Sequence, residues 1–186
     1  PLLHTWSLAV EEQFYLLYPI FILGTWRLGT RFTIVLLVAL TALSLGLAVW
    51  ASIYRPEAGF YLLPTRGWEL SIGALTAFYL VQRNPDRDES KSHLLGFLGI
   101  LLIAFAVFGF DQNTRWPSFY TLVPVTGTAL VILFASNHNS IGTLLSQKMF
   151  VTIGLISYSA YLWHHPLFAF SRITTHKGPN NLFLLL

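Results

Sequence analysis

Apolar residues along this chain gather into six long runs. They extend from about Leu8 to Gly24, Phe32 to Ser52, about Pro64 to Val81, Leu94 to Phe110, Ser118 to Ala135 and Phe150 to Phe170. Each run approaches the roughly 20 helical residues that cross about 30 Å of hydrocarbon. A further stretch, Leu182 to Leu186, begins after Asn181 and stops within one turn. Polar loops with Gly, Pro and Asn breakers separate the runs: Arg27 to Arg31, Arg55 to Gly59, Asn84 to Lys91, Asp111 to Pro117, Asn137 to Lys148 and Arg172 to Pro179. The pattern predicts an all-α fold, a polytopic transmembrane helix bundle with six spans plus the start of a seventh, in a single domain over residues 1–186. No repeat or heptad series interrupts it. A first residue of Pro1, with no signal-peptide pattern, leads us to expect an internal piece of a longer polytopic protein.

Composition narrows the class. Of 186 residues, 54% are hydrophobic and 10% charged, against about 25% charged in an average soluble domain. Mean hydropathy is +0.60. Too few charges remain to cover a soluble surface of this size, which excludes an ordinary cytosolic domain. The net charge of +3 comes from basic residues that stand singly between apolar runs, so they read as membrane-flanking charges and not as a nucleic-acid patch. If all six runs cross, Arg27, Arg31, Arg83, Arg87, Lys91 and Lys148 share one side. Arg55, Arg66, Arg115, Arg172 and Lys177 share the other. This small excess places the first group in the cytoplasm. Cysteine is absent, which removes disulfides, thiolate metal sites and Cys nucleophiles. His93, His138 and His176 fall in polar loops without metal-ligand spacing, so no metal is expected.

Ionisable groups inside apolar spans are costly, and three clusters of polar residues break the pattern. In the first, His4 to Tyr15, Ser7 is a candidate N-cap, and the carboxylates lie in or beside the first turn, where the helix dipole favours them. Glu11 and Glu12 are about 100° apart on a helix. Glu11 shares a face with Tyr15 and Tyr18, which makes it the inward candidate; a capping role and a functional role both fit. In the second, Leu63 to Glu69, Pro64 suits a first helical turn and Arg66 pairs with Glu69 at i,i+3. The pair could simply neutralise itself at the interface, or hold the guanidinium ready for an anionic ligand. In the third, Ile156 to Pro166, Ser157, Tyr161 and His164 fall on one stripe at i, i+4 and i+7. Pro166 marks a kink or an end. The imidazole could act as a general base toward a hydroxyl, or serve as an interhelical hydrogen-bonding group.

In this order the three segments resemble the acyltransferase 3 family of integral membrane acyltransferases, which O-acylate bacterial surface polysaccharides. The matching stretches are His4 to Leu16, Leu63 to Leu70 and Ile156 to His164, with similarity also at Pro124 to Ile132 and Leu144 to Ser146. Where the family pattern continues Trp-His-Trp-Pro, this chain has Trp163-His164-His165-Pro166. The resemblance implies a helix bundle in the bacterial cytoplasmic membrane. It implies acyl-CoA, commonly acetyl-CoA, as co-substrate, with no permanently bound cofactor, and a hydroxyl of an envelope glycan or lipid-linked sugar as acceptor. Glu11, Arg66, Glu69 and His164 correspond to catalytic candidates, and Tyr15, Ser157, Tyr158 and Tyr161 to substrate-binding ones. The family's strongest catalytic candidates, an Arg and a His on its first helix, have no counterpart among these residues, so a general base is expected upstream and the piece alone is expected to be inactive. The residues without the resemblance leave a rival open, a transporter or flippase of lipid-linked sugar or acyl groups.

Overall fold

A computed structural model describes residues 6–55, 59, 61–82, 89–111, 118–135 and 139–174. Every regular element among them is helical: α1 (Trp6–Thr25), α2 (Thr30–Tyr54), α3 (Leu63–Gln82), α4 (Glu89–Gly109), α5 (Leu122–Phe134), α6 (Ser140–Leu145) and α7 (Lys148–Thr174), with short 3-10 turns at Trp26–Leu28 and Phe119–Thr121. The all-α expectation holds, and α1 to α5 and α7 coincide with the six apolar runs. Thr30–Tyr54 is the one helix among the described residues that is long and apolar enough to cross a membrane by length and composition; the apolar parts of two others, His93–Gly109 and Phe119–Phe134, are shorter. Expectations on His4, on the loop centres at 56–58, 83–88, 112–117 and 136–138, and on the seventh run and His176 lie outside the described residues.

Four local expectations change. Ser7 is no N-cap, because the helix already starts at Trp6 and the Ser7 hydroxyl is engaged by a tyrosine. The carboxylates accordingly sit beyond the first turn, which contains no acidic residue. His93 and the charged residues from Glu89 belong to α4 and not to a loop, since Glu and Lys are good helix formers and Glu suits a helix start. Of the two readings of Pro166, a kink or an end, the end is overturned: α7 continues through it to Thr174. Within the predicted loop from Asn137 to Lys148 a short helix forms at Ser140–Leu145. Asn139, 3% exposed, starts it: its side-chain oxygen accepts the Gly142 N–H at 2.8 Å while its amide donates to the Phe134 carbonyl.

The chain forms two compact units, one from Leu8–Leu144 and the other from Pro1–Ser7 with Leu145–Leu186. In the larger unit α2 packs on α3, α3 on α5 and α5 on α4, a side-by-side order α2, α3, α5, α4. Small residues permit these contacts. On α2 the buried positions Thr33, Leu37, Ala48 and Ala51 recur at helical spacing. On α3 the buried positions include Thr65 and the fully buried Trp68. Where α4 crosses α5, Gly99 and Gly127 meet backbone to backbone: a Cβ on Gly99 would lie 2.7 Å from the Gly127 carbonyl oxygen, and one on Gly127 would lie 2.8 Å from that of Gly99. Such small-residue crossings let helices associate by close packing alone. Gly29, at φ 89°, makes the turn from α1 into α2, a conformation that other residues rarely adopt. Opposite these contacts α2 exposes Val35, Leu43 and Trp50, and α4 exposes Phe97, Phe105 and Phe108.

Candidate functional site

In the larger unit the second polar cluster is built as the spacing predicts. Pro64 occupies the first turn of α3, and one turn later Arg66 Nη2 donates to Glu69 Oε2 at 3.0 Å. Both side chains are about three-quarters or more buried, at 24% and 20% exposure. The other carboxylate oxygen, Glu69 Oε1, is buried without a hydrogen-bond partner among the described residues, as is the indole Nε1 of Trp68. A carboxylate has acceptor capacity on both oxygens. Glu69 therefore keeps one unused acceptor beside a guanidinium that it orients.

Glu69 also lines a cleft of about 220 Å³ between α3 and α5, with Gly73 and Thr76 on one wall and Val125, Thr128 and Ile132 on the other. The two threonine hydroxyls are turned to their own helices, donating to the Ile72 and Pro124 carbonyls at 2.8 Å each. Their donor protons are thereby committed. Among the lining side chains Glu69 carries the charge, so a group that enters this cleft meets apolar surface and one carboxylate.

Glu11 lies on the half-buried stripe of α1 with Val10, Phe14 and Tyr18, while Glu12 is exposed. Phe14 and Tyr18 stack at 5.2 Å between ring centroids. Tyr15 is on the other side, 64% exposed, so the face expected to join Glu11, Tyr15 and Tyr18 contains Glu11 and Tyr18 without Tyr15.

In the smaller unit the third cluster makes two separate contacts at Tyr161. Ser7 Oγ and Tyr161 Oη are 2.5 Å apart, and His164 Nδ1 lies 2.6 Å from the Tyr161 backbone carbonyl. A carbonyl oxygen can only accept, so Nδ1 carries the proton and the neutral ring keeps its lone pair on Nε2. The tautomer is the one a general base needs. The His164 ring also meets Tyr161 and His165, at centroid distances of 5.6 and 6.0 Å. Ser157 and Tyr158 are exposed, and the Ser157 hydroxyl donates to the Gly154 carbonyl at 2.7 Å. The structure thus joins Arg66 to Glu69, and Tyr161 to His164 and to Ser7. No trio of His, Asp or Glu gathers to hold a metal among the described residues.

Sequence reasoning passed over Ser44. From α2 its hydroxyl donates to the Pro64 carbonyl at 2.7 Å and accepts the Trp68 N–H at 3.0 Å, which brings it onto the turn that carries Arg66. A lone serine in an apolar run gave no signal for this, beyond being a hydroxyl among Leu and Ala.

Comparison with known proteins bears on all three clusters. A profile described as an acyltransferase domain matches residues 1–186. The chain is 31% identical over 182 residues to the O-acetyltransferase OatA of Staphylococcus aureus, a match that takes in 91% of this chain and 30% of that protein. To the peptidoglycan O-acetyltransferase OatA of Listeria monocytogenes it is 29% identical over 183 residues, 90% of this chain and 29% of the relative. It therefore spans about 30% of the length of these relatives. No solved structure matches. With the whole chain matched and its polar clusters in the order that the resemblance requires, the chain belongs to the acyltransferase 3 family.

Proposed function

We propose that the chain is part of an integral membrane O-acyltransferase that moves an acyl group, in the simplest case acetyl, from acyl-CoA to a hydroxyl of a cell-envelope polysaccharide. In this reading all six apolar runs cross the bacterial cytoplasmic membrane. Family membership and the names of the O-acetyltransferase relatives support the chemistry and the cell-wall acceptor. The large apolar side chains exposed along α2 and α4 support a lipid environment, since a soluble monomer rarely leaves such continuous apolar faces uncovered.

The observation that carries the proposal is the partly buried Arg66–Glu69 pair, whose carboxylate lines a cleft and retains an unused acceptor. In acyl transfer the acceptor oxygen bonds to the thioester carbonyl carbon, negative charge builds on the carbonyl oxygen, and the C–S bond then breaks to release CoA as its thiol. The hydroxyl proton leaves to a base and is returned to the departing thiolate. Arg66, fixed by Glu69, supplies a preorganised cation for the oxyanion or for the donor's phosphates. His164, with its lone pair on Nε2, is able to take a proton. Glu11 offers a second carboxylate from α1, and Tyr15, Ser157, Tyr158 and Tyr161 offer hydroxyls to the substrates.

Mass spectrometry of envelope glycan from cells with and without the intact gene tests the proposal. A difference of one acyl group per modified sugar is expected, and identical spectra would overturn it. Transfer undiminished by Arg66→Ala would remove Arg66 from the chemistry.

A further inference from the structure

We propose that Ser44 is the positioning residue of the Arg66–Glu69 pair, an inference that rests on the function proposed above. A serine hydroxyl can give one hydrogen bond and accept another at once. Ser44 does both toward a single turn of α3, giving its proton to the Pro64 carbonyl at 2.7 Å and accepting the Trp68 N–H at 3.0 Å. Pro64 and Trp68 are i and i+4, the carbonyl and amide that an α-helical ladder pairs with each other. A side chain from α2 therefore engages both the carbonyl and the amide of one rung of the α3 ladder.

The rung is centred on Arg66, two residues after Pro64 and two before Trp68, and Glu69 follows immediately. Neighbouring contacts make the clasp stiff. The Trp68 side chain is 0% exposed. Thr65 Oγ1, between Pro64 and Arg66, donates toward the Gly59 carbonyl at 2.8 Å and the Leu62 carbonyl at 2.7 Å. Ser44 belongs to the same face of α2 as the buried Ala48 and Ala51, so it is held by the α2–α3 packing. The turn that aims the guanidinium is thereby referenced to α2 as well as to its own helix. Loss of the hydroxyl leaves the Pro64 carbonyl and the Trp68 N–H able to pair with each other, so the helix survives while the direction of Arg66 changes.

The test uses the full-length protein in membranes, with acetyl-CoA as donor and isolated cell-wall glycan as acceptor, comparing Ser44→Ala, Ser44→Thr and Arg66→Ala. Ser44→Ala is expected to lower kcat roughly ten- to hundredfold, the scale of a small misplacement of a catalytic group. KM for acetyl-CoA should change little, the melting temperature should stay within a few degrees, and Ser44→Thr, which restores a hydroxyl, should recover most of the rate. Full activity of Ser44→Ala beside an inactive Arg66→Ala overturns the positioning role alone. A kcat loss that Ser44→Thr does not recover, or that tracks a matching fall in melting temperature, also overturns it, leaving a structural clasp. An active Arg66→Ala instead overturns the role proposed for Arg66, and the positioning inference with it.

Discussion

Arg66 and Glu69 meet at a single carboxylate oxygen: Arg66 Nη2 is 3.0 Å from Glu69 Oε2, and Glu69 Oε1 has no hydrogen-bond partner among the described residues. A fully solvent-exposed pair at this spacing would contribute only about 0–1 kcal/mol to stability. At 24% and 20% exposure the value of this pair lies in fixing where a cation points. Arg66→Ala is expected to reduce acetyl transfer by about 10²–10³-fold, the usual cost of losing an oxyanion-stabilising group. Arg66→Lys should recover only part of the rate, because an ammonium lacks the planar fork. Acetyl content of isolated envelope glycan, measured by mass spectrometry, reads both.

Glu69→Gln keeps the shape and removes the charge. The expected result is a transfer rate lower by about tenfold, with a stability loss of about 1–3 kcal/mol because the largely buried Arg66 charge loses its carboxylate. Rates measured beside thermal melts in detergent separate the two effects. A variant that unfolds, or one that transfers normally, contradicts the orienting role given to Glu69.

The Ser7–Tyr161 contact, 2.5 Å between hydroxyl oxygens, should behave as one ordinary hydrogen bond. Tyr161→Phe and Ser7→Ala are each expected to cost about 1 kcal/mol. The double variant should cost less than the sum, since both remove the same interaction. Denaturation of the purified protein in detergent supplies all three numbers.

His164 should carry its proton on Nδ1 whenever the ring is neutral, because its neighbour there is a carbonyl oxygen at 2.6 Å. Nitrogen NMR of histidine-labelled protein distinguishes the tautomers. A neutral ring protonated on Nε2 would contradict the geometry. His164→Ala is expected to slow transfer by about 10²-fold if the ring handles the acceptor proton.

At the α4–α5 crossing, Gly99→Leu is expected to destabilise by about 1–3 kcal/mol or more, the cost of forcing extra atoms into a closed contact. Even a Cβ would stand 2.7 Å from a carbonyl oxygen there. Gly24→Ala, with nothing within 4 Å of the added atom, is the matched control and should be near neutral. Melting temperatures in detergent read both.

The helices were legible because their apolar content is nearly continuous. The predicted run from Phe32 to Ser52 became Thr30–Tyr54, and that from Pro64 to Val81 became Leu63–Gln82. The Arg66–Glu69 pair was legible too, since i,i+3 spacing alone brings such side chains together. Ser44 was not legible: its partners Pro64 and Trp68 lie 20 and 24 residues away, and only the packing of α2 on α3 makes them neighbours. The Ser140–Leu145 helix was hidden for a different reason. It is too short for a periodic signal, and Asn139, whose side chain starts it, reads equally well as a loop residue. Tyr15 shows the limit of face arithmetic: a position one turn from Glu11 still falls on the exposed side of α1, because the buried stripe drifts toward Phe14 and Tyr18.

The crossing of Gly99 and Gly127 also governs how the cleft can respond to an occupant. With no side chains between them, the two backbones pack directly against each other, so a shift of α5 at this point presses on α4. One wall of the cleft belongs to α5, at Val125, Thr128 and Ile132. A guest too wide for the gap must swing both helices at once, against everything that holds α4, before it gains room beside Glu69.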